Sequence, residues 1–175
     1  MSSLITEAVS ARFEMVGAVP KEQDLYTGAG AEFYDRLVGP DRAEIREMLA
    51  LARGVEGPIL DIGAGSGRLT IPLVRSGRRV TALDLSEDML SRLRRAVPDH
   101  PMLECVVGDM RDFALGRRFD LVIIGATSIT LLDRVGRSLF YANVRRHLAA
   151  GGWIPYRAPE RPGARRASSR SPARD

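Results

Sequence analysis

Four short apolar runs mark the middle of the chain, and each is closed by glycine or an acid. The first, Ile59 to Ile62, leads into glycines at 63, 65 and 67. Leu69, Leu73 and Val74 follow at helical spacing. The second run, Arg79 to Leu83, is rich in apolar and β-branched residues and ends at Asp84. Ser86 is placed to cap the next helix, which carries Met89, Leu90 and Leu93 on one side. The third run, Met102 to Val107, ends in Gly108-Asp109-Met110; the fourth, Phe119 to Ile124, ends at Gly125. Strands alternating with helical patterns predict a parallel sheet that receives its ligand at the strand tips.

Flanking segments extend the pattern. Ala31 to Leu37 and Asp41 to Ala52 read as helices. In the second, Asp41 and Glu44 form a capping box while Ile45, Met48, Leu49 and Ala52 share a face. Pro58 opens the first strand. Pro72 lies inside the helix behind the glycines, a position that predicts a kink. Asp133 caps a last helix running through Leu148, with Val135, Leu139, Ala142 and Leu148 inward and Gly151 as its close. Residues 1–24 have weak periodicity and read as an arm or lid helix. The apolar pattern fails after Ile154. The following PYRAPERPGARRASSRSPARD holds four prolines and hardly an apolar side chain, so disorder is expected from about residue 158. Two readings of that tail stay open, a basic phosphorylatable segment and the product of a frameshift or early stop. On this count the sheet has four clear strands and a fragment of a fifth. Leu121 to Ile124 would then lie near an exposed edge, with low stability and little activity as consequences. The expected organisation is an arm over 1–40, a ligand-binding domain over 41–156 and a tail over 157–175.

Charge changes little in this picture. The 175 residues have a net charge of +4. Residues 157–175 alone contribute six arginines against two acids, so the region before them is neutral and gives no argument for a nucleic-acid partner. Hydrophobic content of 45% and charged content of 27% are ordinary for a globular domain. The one cysteine, Cys105, excludes an internal disulfide and reads as a small buried hydrophobe. No metal-ligand spacing, signal peptide or membrane span is visible, and the default compartment is the cytoplasm. His147 is read as structural or superficial and His100 as solvent-exposed.

The candidate chemistry sits in residues 59–68. Glycines at 63, 65 and 67 let the backbone turn tightly and approach a ligand, and the helix behind them offers free N–H groups. A dinucleotide fingerprint would place its third glycine at 68, where the chain has arginine. The compact G-x-G-x-G, with Asp61 two residues upstream, suggests a nucleoside without a pyrophosphate. Asp84, about 20 residues on, is where an acid can bind both ribose hydroxyls.

The segments ILDIGAGSGRLT, VTALDLSEDML, VVGDMRDFALGRRFDLVI and RRHLAAGGW, in that order, resemble the class I S-adenosylmethionine-dependent methyltransferases. The resemblance implies a Rossmann-like α/β sheet of order 3-2-1-4-5, here with its last strands missing. It implies S-adenosylmethionine as cofactor. Asp61, Gly63, Ala64, Gly65, Gly67 and Arg68 would surround its methionine end. Asp84 would hold the ribose beside Leu85 and Met89, and Asp109 with Met110 the adenine. Gly125 and Ala126 would flank the sulfonium. LYTGAGAEFYDRL, GDMRDFALGRRF and TSITLLD further resemble natural-product N-methyltransferases that act on glycopeptide antibiotics, daptide-type peptides or aminosugars. That likeness implies a small-molecule or peptide amine acceptor and no membrane partner.

Several residues carry two readings. Tyr34 either packs its short helix on the sheet or, by the resemblance, Tyr26 and Tyr34, one or both, bring phenols to the sulfonium or the cofactor carboxylate as catalytic groups. Arg68 either pairs with the cofactor carboxylate or is solvated. Thr127, Ser128 and Thr130 either face the acceptor or satisfy loop backbone. At the level of the whole chain, the alternatives are an aminosugar or other N/O-methyltransferase and an inactive cofactor-binding remnant. An NAD-dependent oxidoreductase is disfavoured by Arg68.

Overall fold

The computed structural model describes residues 15, 26–28, 30, 42–125 and 128–155. Five parallel strands run β1 (Ile59–Ile62), β2 (Val80–Asp84), β3 (Leu103–Val107), β4 (Phe119–Ile124) and β5 (Leu148–Trp153). Their order across the sheet is β3-β2-β1-β4-β5. Strands β2 and β3 each begin one residue later than the sequence pattern suggests. The central strand is buried at all four positions, as its unbroken apolar run requires. It pairs in register with β2 (Ile59 opposite Val80) and with β4 (Ile59 opposite Leu121).

Helices cover both faces. α1 (Arg42–Ala52) and α2 (Thr70–Arg75) close a core with Ile59, Val80, Leu121 and Ile123. Ile45, Met48, Leu49 and Ala52 of α1 face that core, as their spacing predicts. α3 (Glu87–Ala96) buries Met89, Leu90 and Leu93, and Ser86 accepts the Met89 N–H at its start. Cys105 packs partly buried against the same cluster. There burial pushes its thiol up from the ordinary cysteine range. The opposite face is closed by α4 (Arg134–His147), with Phe140 and Val144 against Leu60, Ile62, Leu83 and Phe119. Among the described residues, no helix is long and apolar enough to cross a membrane, and no group of three or more His, Cys, Asp and Glu could hold a metal ion.

Three expectations are corrected. Asp133 does cap α4, accepting the Gly136 N–H at 2.7 Å, but the inward face is Gly136, Phe140, Asn143, Val144 and His147. Val135 is 66% and Leu139 50% exposed, and Ala142 is exposed too. Two buried polar residues set this phase. Asn143 donates to the Arg111 carbonyl, and the Nε2 of His147 accepts the Leu115 N–H at 3.1 Å. Its Nδ1–H points to the Asn143 carbonyl at 2.8 Å, and its ring lies 4.5 Å from that of Phe113. α4 thus turns toward the residue 109–118 loop and satisfies its backbone. Secondly, Gly151 does not close a helix. Leu148 is already extended, and Gly151, at φ +80°, lies within β5. Thirdly, β4 is not the last strand: β5 pairs with its first half, with Phe119 opposite Leu148 and Leu121 opposite Trp153, and the register does not reach Val122–Ile124. β5 spends five residues where β4 spends two. A Cβ on Gly152 would lie 2.8 Å from the Phe119 carbonyl, so this bulge needs glycine there. Pro72 lies in the first turn of α2, between the Ile71 N–H bond to the Gly67 carbonyl and the Leu73 N–H bond to the Leu69 carbonyl. His100 is half-buried and accepts the Met102 N–H. The helix expected at 31–37, Asp41, Thr127 and the segment from 156 onward lie outside the described residues.

Candidate active site

The turn after β1 builds the floor of the site. Gly63, Gly65 and Gly67 all have positive φ, at 68°, 57° and 97°. At Gly67 a side chain is excluded twice, by that backbone angle and by Leu93 Cδ1, which would lie 2.4 Å from a Cβ. The turn is tied to β2 by two bonds from the Gly63 and Ala64 N–H groups to the Leu83 carbonyl. The Gly65 N–H donates to Asp84 Oδ2 at 2.8 Å, while Asp84 Oδ1 accepts the Ser86 N–H, also at 2.8 Å. One carboxylate therefore fixes both the glycine turn and the start of α3. Each of its oxygens keeps acceptor capacity for a ligand.

A cavity of about 420 Å³ opens above this turn. Its lining includes Gly63, Gly65, Asp84, Leu85, Met89, Asp109 and Met110, so most of the residues singled out in the sequence come together. Tyr26 joins them, and Tyr26 and Gly28 are tied to the start of α3. The Ser86 hydroxyl donates to the Tyr26 carbonyl at 2.6 Å, and the Gly28 N–H donates to Asp88 at 2.8 Å. Asp109 is held by Arg111, whose Nε and Nη2 reach its carboxylate at 2.9 and 2.5 Å. Those bonds hold the Asp109 carboxyl below the usual carboxylate range.

Other residues lie outside this cavity. Asp61, 1% exposed, is buried beneath the turn and accepts the Thr70 hydroxyl at 2.6 Å. Desolvation there outweighs the Thr70 bond and the nearby Arg68 charge, and raises its pKa to about 7. Ala64 and Gly67 are buried structural members of the turn. Arg68 pairs with Glu44 of α1 at 2.5 Å, the pair being 25% and 13% exposed. Gly125 lies beside a second, larger cleft of about 740 Å³ that runs between α1, the tips of β4 and β5, and α4. Tyr34 and Ala126 lie outside the described residues.

Sequence reasoning left one wall of the site unresolved. The 3-10 turn Ser128–Leu131 stands between the two cavities. Ser128 and Leu131 line the smaller and Ile129 the larger. Ser128 Oγ lies 2.8 Å from where a Gly63 Cβ would be and 3.5 Å from a Gly125 Cβ. The hydroxyl cluster 127–130 was the available signal, but its two-sided placement depends on the path of the chain after β4.

Residues 59–152 match the model of a family described as a methyltransferase domain. The cypemycin N-terminal methyltransferase of a Streptomyces species is 32% identical over 136 residues, 75% of this chain and 55% of that protein. An aminosugar enzyme of Streptomyces venezuelae, dTDP-3-amino-3,4,6-trideoxy-alpha-D-glucopyranose N,N-dimethyltransferase, is 28% identical over 77% of this chain and 55% of its own length. A crystal structure of the glycopeptide N-methyltransferase MtfA complexed with S-adenosyl-L-homocysteine superposes with a TM-score of 0.63 at 33% identity, over 87% of this chain and 60% of that one. The chain spans about half the length of the curated relatives it matches. The matched span runs from the first residue of β1 into β5 and takes in the glycine turn, Asp84 and Asp109, and this chain belongs to the methyltransferase domain family.

Proposed function

We propose that this chain carries the cofactor half of an S-adenosylmethionine-dependent N-methyltransferase acting on an amine of a peptide-type natural product. The observation that carries the reading is the shared use of Asp84. It anchors the glycine turn and still presents acceptor lone pairs to a cavity of about 420 Å³. Ribose hydroxyls are the donors that such a carboxylate fits. Leu85 and Met89 offer apolar contact beside it, and Met110 the same near Asp109. The open space around Gly65, where a Cβ would meet nothing within 4 Å, leaves its backbone accessible to a ligand. These residues fit an adenosyl ligand.

S-adenosylmethionine supplies a methyl group already activated on a sulfonium. The protein's part is alignment and exclusion of water. An acceptor amine held in line attacks with its lone pair; the new nitrogen–carbon bond forms as the carbon–sulfur bond breaks. The thioether leaves, and the methylated nitrogen passes a proton to solvent. No strong base is needed, and among the described residues neither cavity is lined by histidine or lysine. Tyr26, whose backbone is tied to Ser86, is proposed as part of the ligand's cover, in keeping with residues 1–40 acting as an arm over the 41–156 domain. The peptide-type acceptor is favoured by the likeness to a peptide and a glycopeptide N-methyltransferase. An aminosugar acceptor is the second reading, supported by the dimethyltransferase relative.

The test is calorimetric titration of the chain with S-adenosylhomocysteine, followed by methyl transfer to amine acceptors. Binding at micromolar affinity that is lost in Asp84→Ala supports the reading. A folded chain that does not bind the ligand contradicts it.

A further inference from the structure

Asp109, just past the tip of β3, has both carboxylate oxygens taken by one neighbour. Oδ1 accepts the Arg111 backbone N–H at 2.8 Å and shares the Nε–H at 3.0 Å. Oδ2 accepts the same Nε–H at 2.9 Å and an Nη2–H at 2.5 Å. A carboxylate has about four lone-pair directions, so these contacts fill it. A neutral amino group competing for the same oxygens would have to displace a guanidinium, whose bonds are roughly twice as strong.

The fork is also held from behind. Asn143 of α4 donates to the Arg111 carbonyl, a bond that does not depend on the Arg111 side chain. Gly136 of the same helix lies against the stem, where a Cβ would meet Arg111 Cδ at 3.4 Å. Asp109 and Arg111 both line the cofactor cavity. The Arg111 side chain is 52% exposed, and the fork uses two of its five N–H donors. Three are left to meet a ligand's acceptors.

Strand order says which part of the ligand these residues meet. With the ribose at Asp84 of β2 and the glycine turn behind β1, the order β3-β2-β1 puts Gly108, Asp109, Met110 and Arg111 on the side of the base. We infer that Arg111 is a specificity-determining residue for that base: by covering the Asp109 carboxylate with a guanidinium, it makes the site tolerant of a 6-oxopurine as well as a 6-aminopurine. This deepens the S-adenosylmethionine reading and rests on it. A bare carboxylate accepts from the 6-amino group of adenine and meets only an oxygen on hypoxanthine, so it separates the two bases. A guanidinium donates to either, to a ring-nitrogen lone pair of adenine or to the 6-oxo group of hypoxanthine.

The experiment is calorimetric titration of the full chain and of Arg111→Ala with S-adenosylhomocysteine and with S-inosylhomocysteine. The wild-type chain is expected to favour the adenosyl ligand by less than about fivefold, and Arg111→Ala should raise that ratio at least about fivefold further. Adding Asp109→Ala to Arg111→Ala should bring the ratio back near the wild-type value. Local damage from losing the arginine would not be undone by a second truncation. An adenosyl preference above about fivefold in the wild-type chain, or no rise in Arg111→Ala, overturns the role of Arg111 while leaving the methyltransferase reading intact. Failure of the wild-type chain to bind S-adenosylhomocysteine removes both.

Discussion

Asp84 and Asp109 follow neighbouring strands, yet their carboxylates are committed differently. Asp84 accepts two backbone N–H groups and retains capacity. Asp109 is covered by the Arg111 guanidinium and backbone N–H. Asp84→Asn is therefore expected to cost S-adenosylhomocysteine affinity roughly 1.5–3 kcal/mol, the usual loss for a charge-assisted hydrogen bond. Asp109→Asn should cost clearly less; calorimetry on both variants checks the order. Asp61 makes a prediction about pH. Its pKa is raised from 3.8 to about 7, so the native state binds its proton more tightly than the unfolded chain does. Below 3.8 both states hold the proton and there is no penalty. As pH rises from 3.8 toward 7 the unfolded chain ionises first, and stability falls; above about 7 the loss levels off. Its full size is no more than about 4 kcal/mol. Asp61→Asn keeps an oxygen for the Thr70 hydroxyl and should flatten this part of the stability–pH curve, measured by denaturant unfolding of the ligand-free chain. A slope unchanged by the substitution would assign it to other groups.

Elements differ in how plainly the sequence announces them. The strands and the glycine turn were legible because their signals are local: an unbroken apolar run, a positive-φ glycine, an acid at a strand tip. The capped start of α3 was legible for the same reason. The face of α4 was not, because its rotation is set by partners far along the chain. Asn143 and His147 turn inward to serve carbonyl and N–H groups of the 109–118 loop, carrying Phe140 with them and leaving Leu139 at the surface. Polar residues four apart on the stripe of Phe140 and Val144 were the one available hint. The phase has a direct test. Phe140→Ala should destabilise by about 3–5 kcal/mol, as for other buried aromatics. Leu139→Ala should stay within about 0.5 kcal/mol. Comparable losses in urea melts would return α4 to the sequence-based phase. The glycine turn is similarly exposed to test. Gly67→Ala must strain its φ and press on Leu93 and Ile71, at an expected cost of about 1–3 kcal/mol.

At the scale of the molecule, the cofactor site and the cleft are joined by two ties. One is the Arg68–Glu44 pair, which fastens the glycine turn to α1. The other is the 3-10 turn after β4, whose residues face both ways. β5 pairs with the first half of β4 and contributes Trp153 to the cleft, so the fifth strand belongs to the site as much as to the scaffold. The sequence pattern undervalued it. Leu148-Ala149-Ala150-Gly151-Gly152-Trp153 has the look of a helix end, and its bulge against β4 exists only in the paired sheet.

A partition with a ligand on each side has a thermodynamic consequence. Whatever shift Ser128–Leu131 makes when one cavity fills, the other cavity inherits. The two dissociation constants are then linked, and each ligand must alter the affinity of the other by the same factor. A small amine that occupies the cleft should change the dissociation constant of S-adenosylhomocysteine, and S-adenosylhomocysteine that of the amine, by one common ratio in crossed titrations. A ratio of one in both directions would mean that the turn is a rigid wall, and that order of binding is set by access alone.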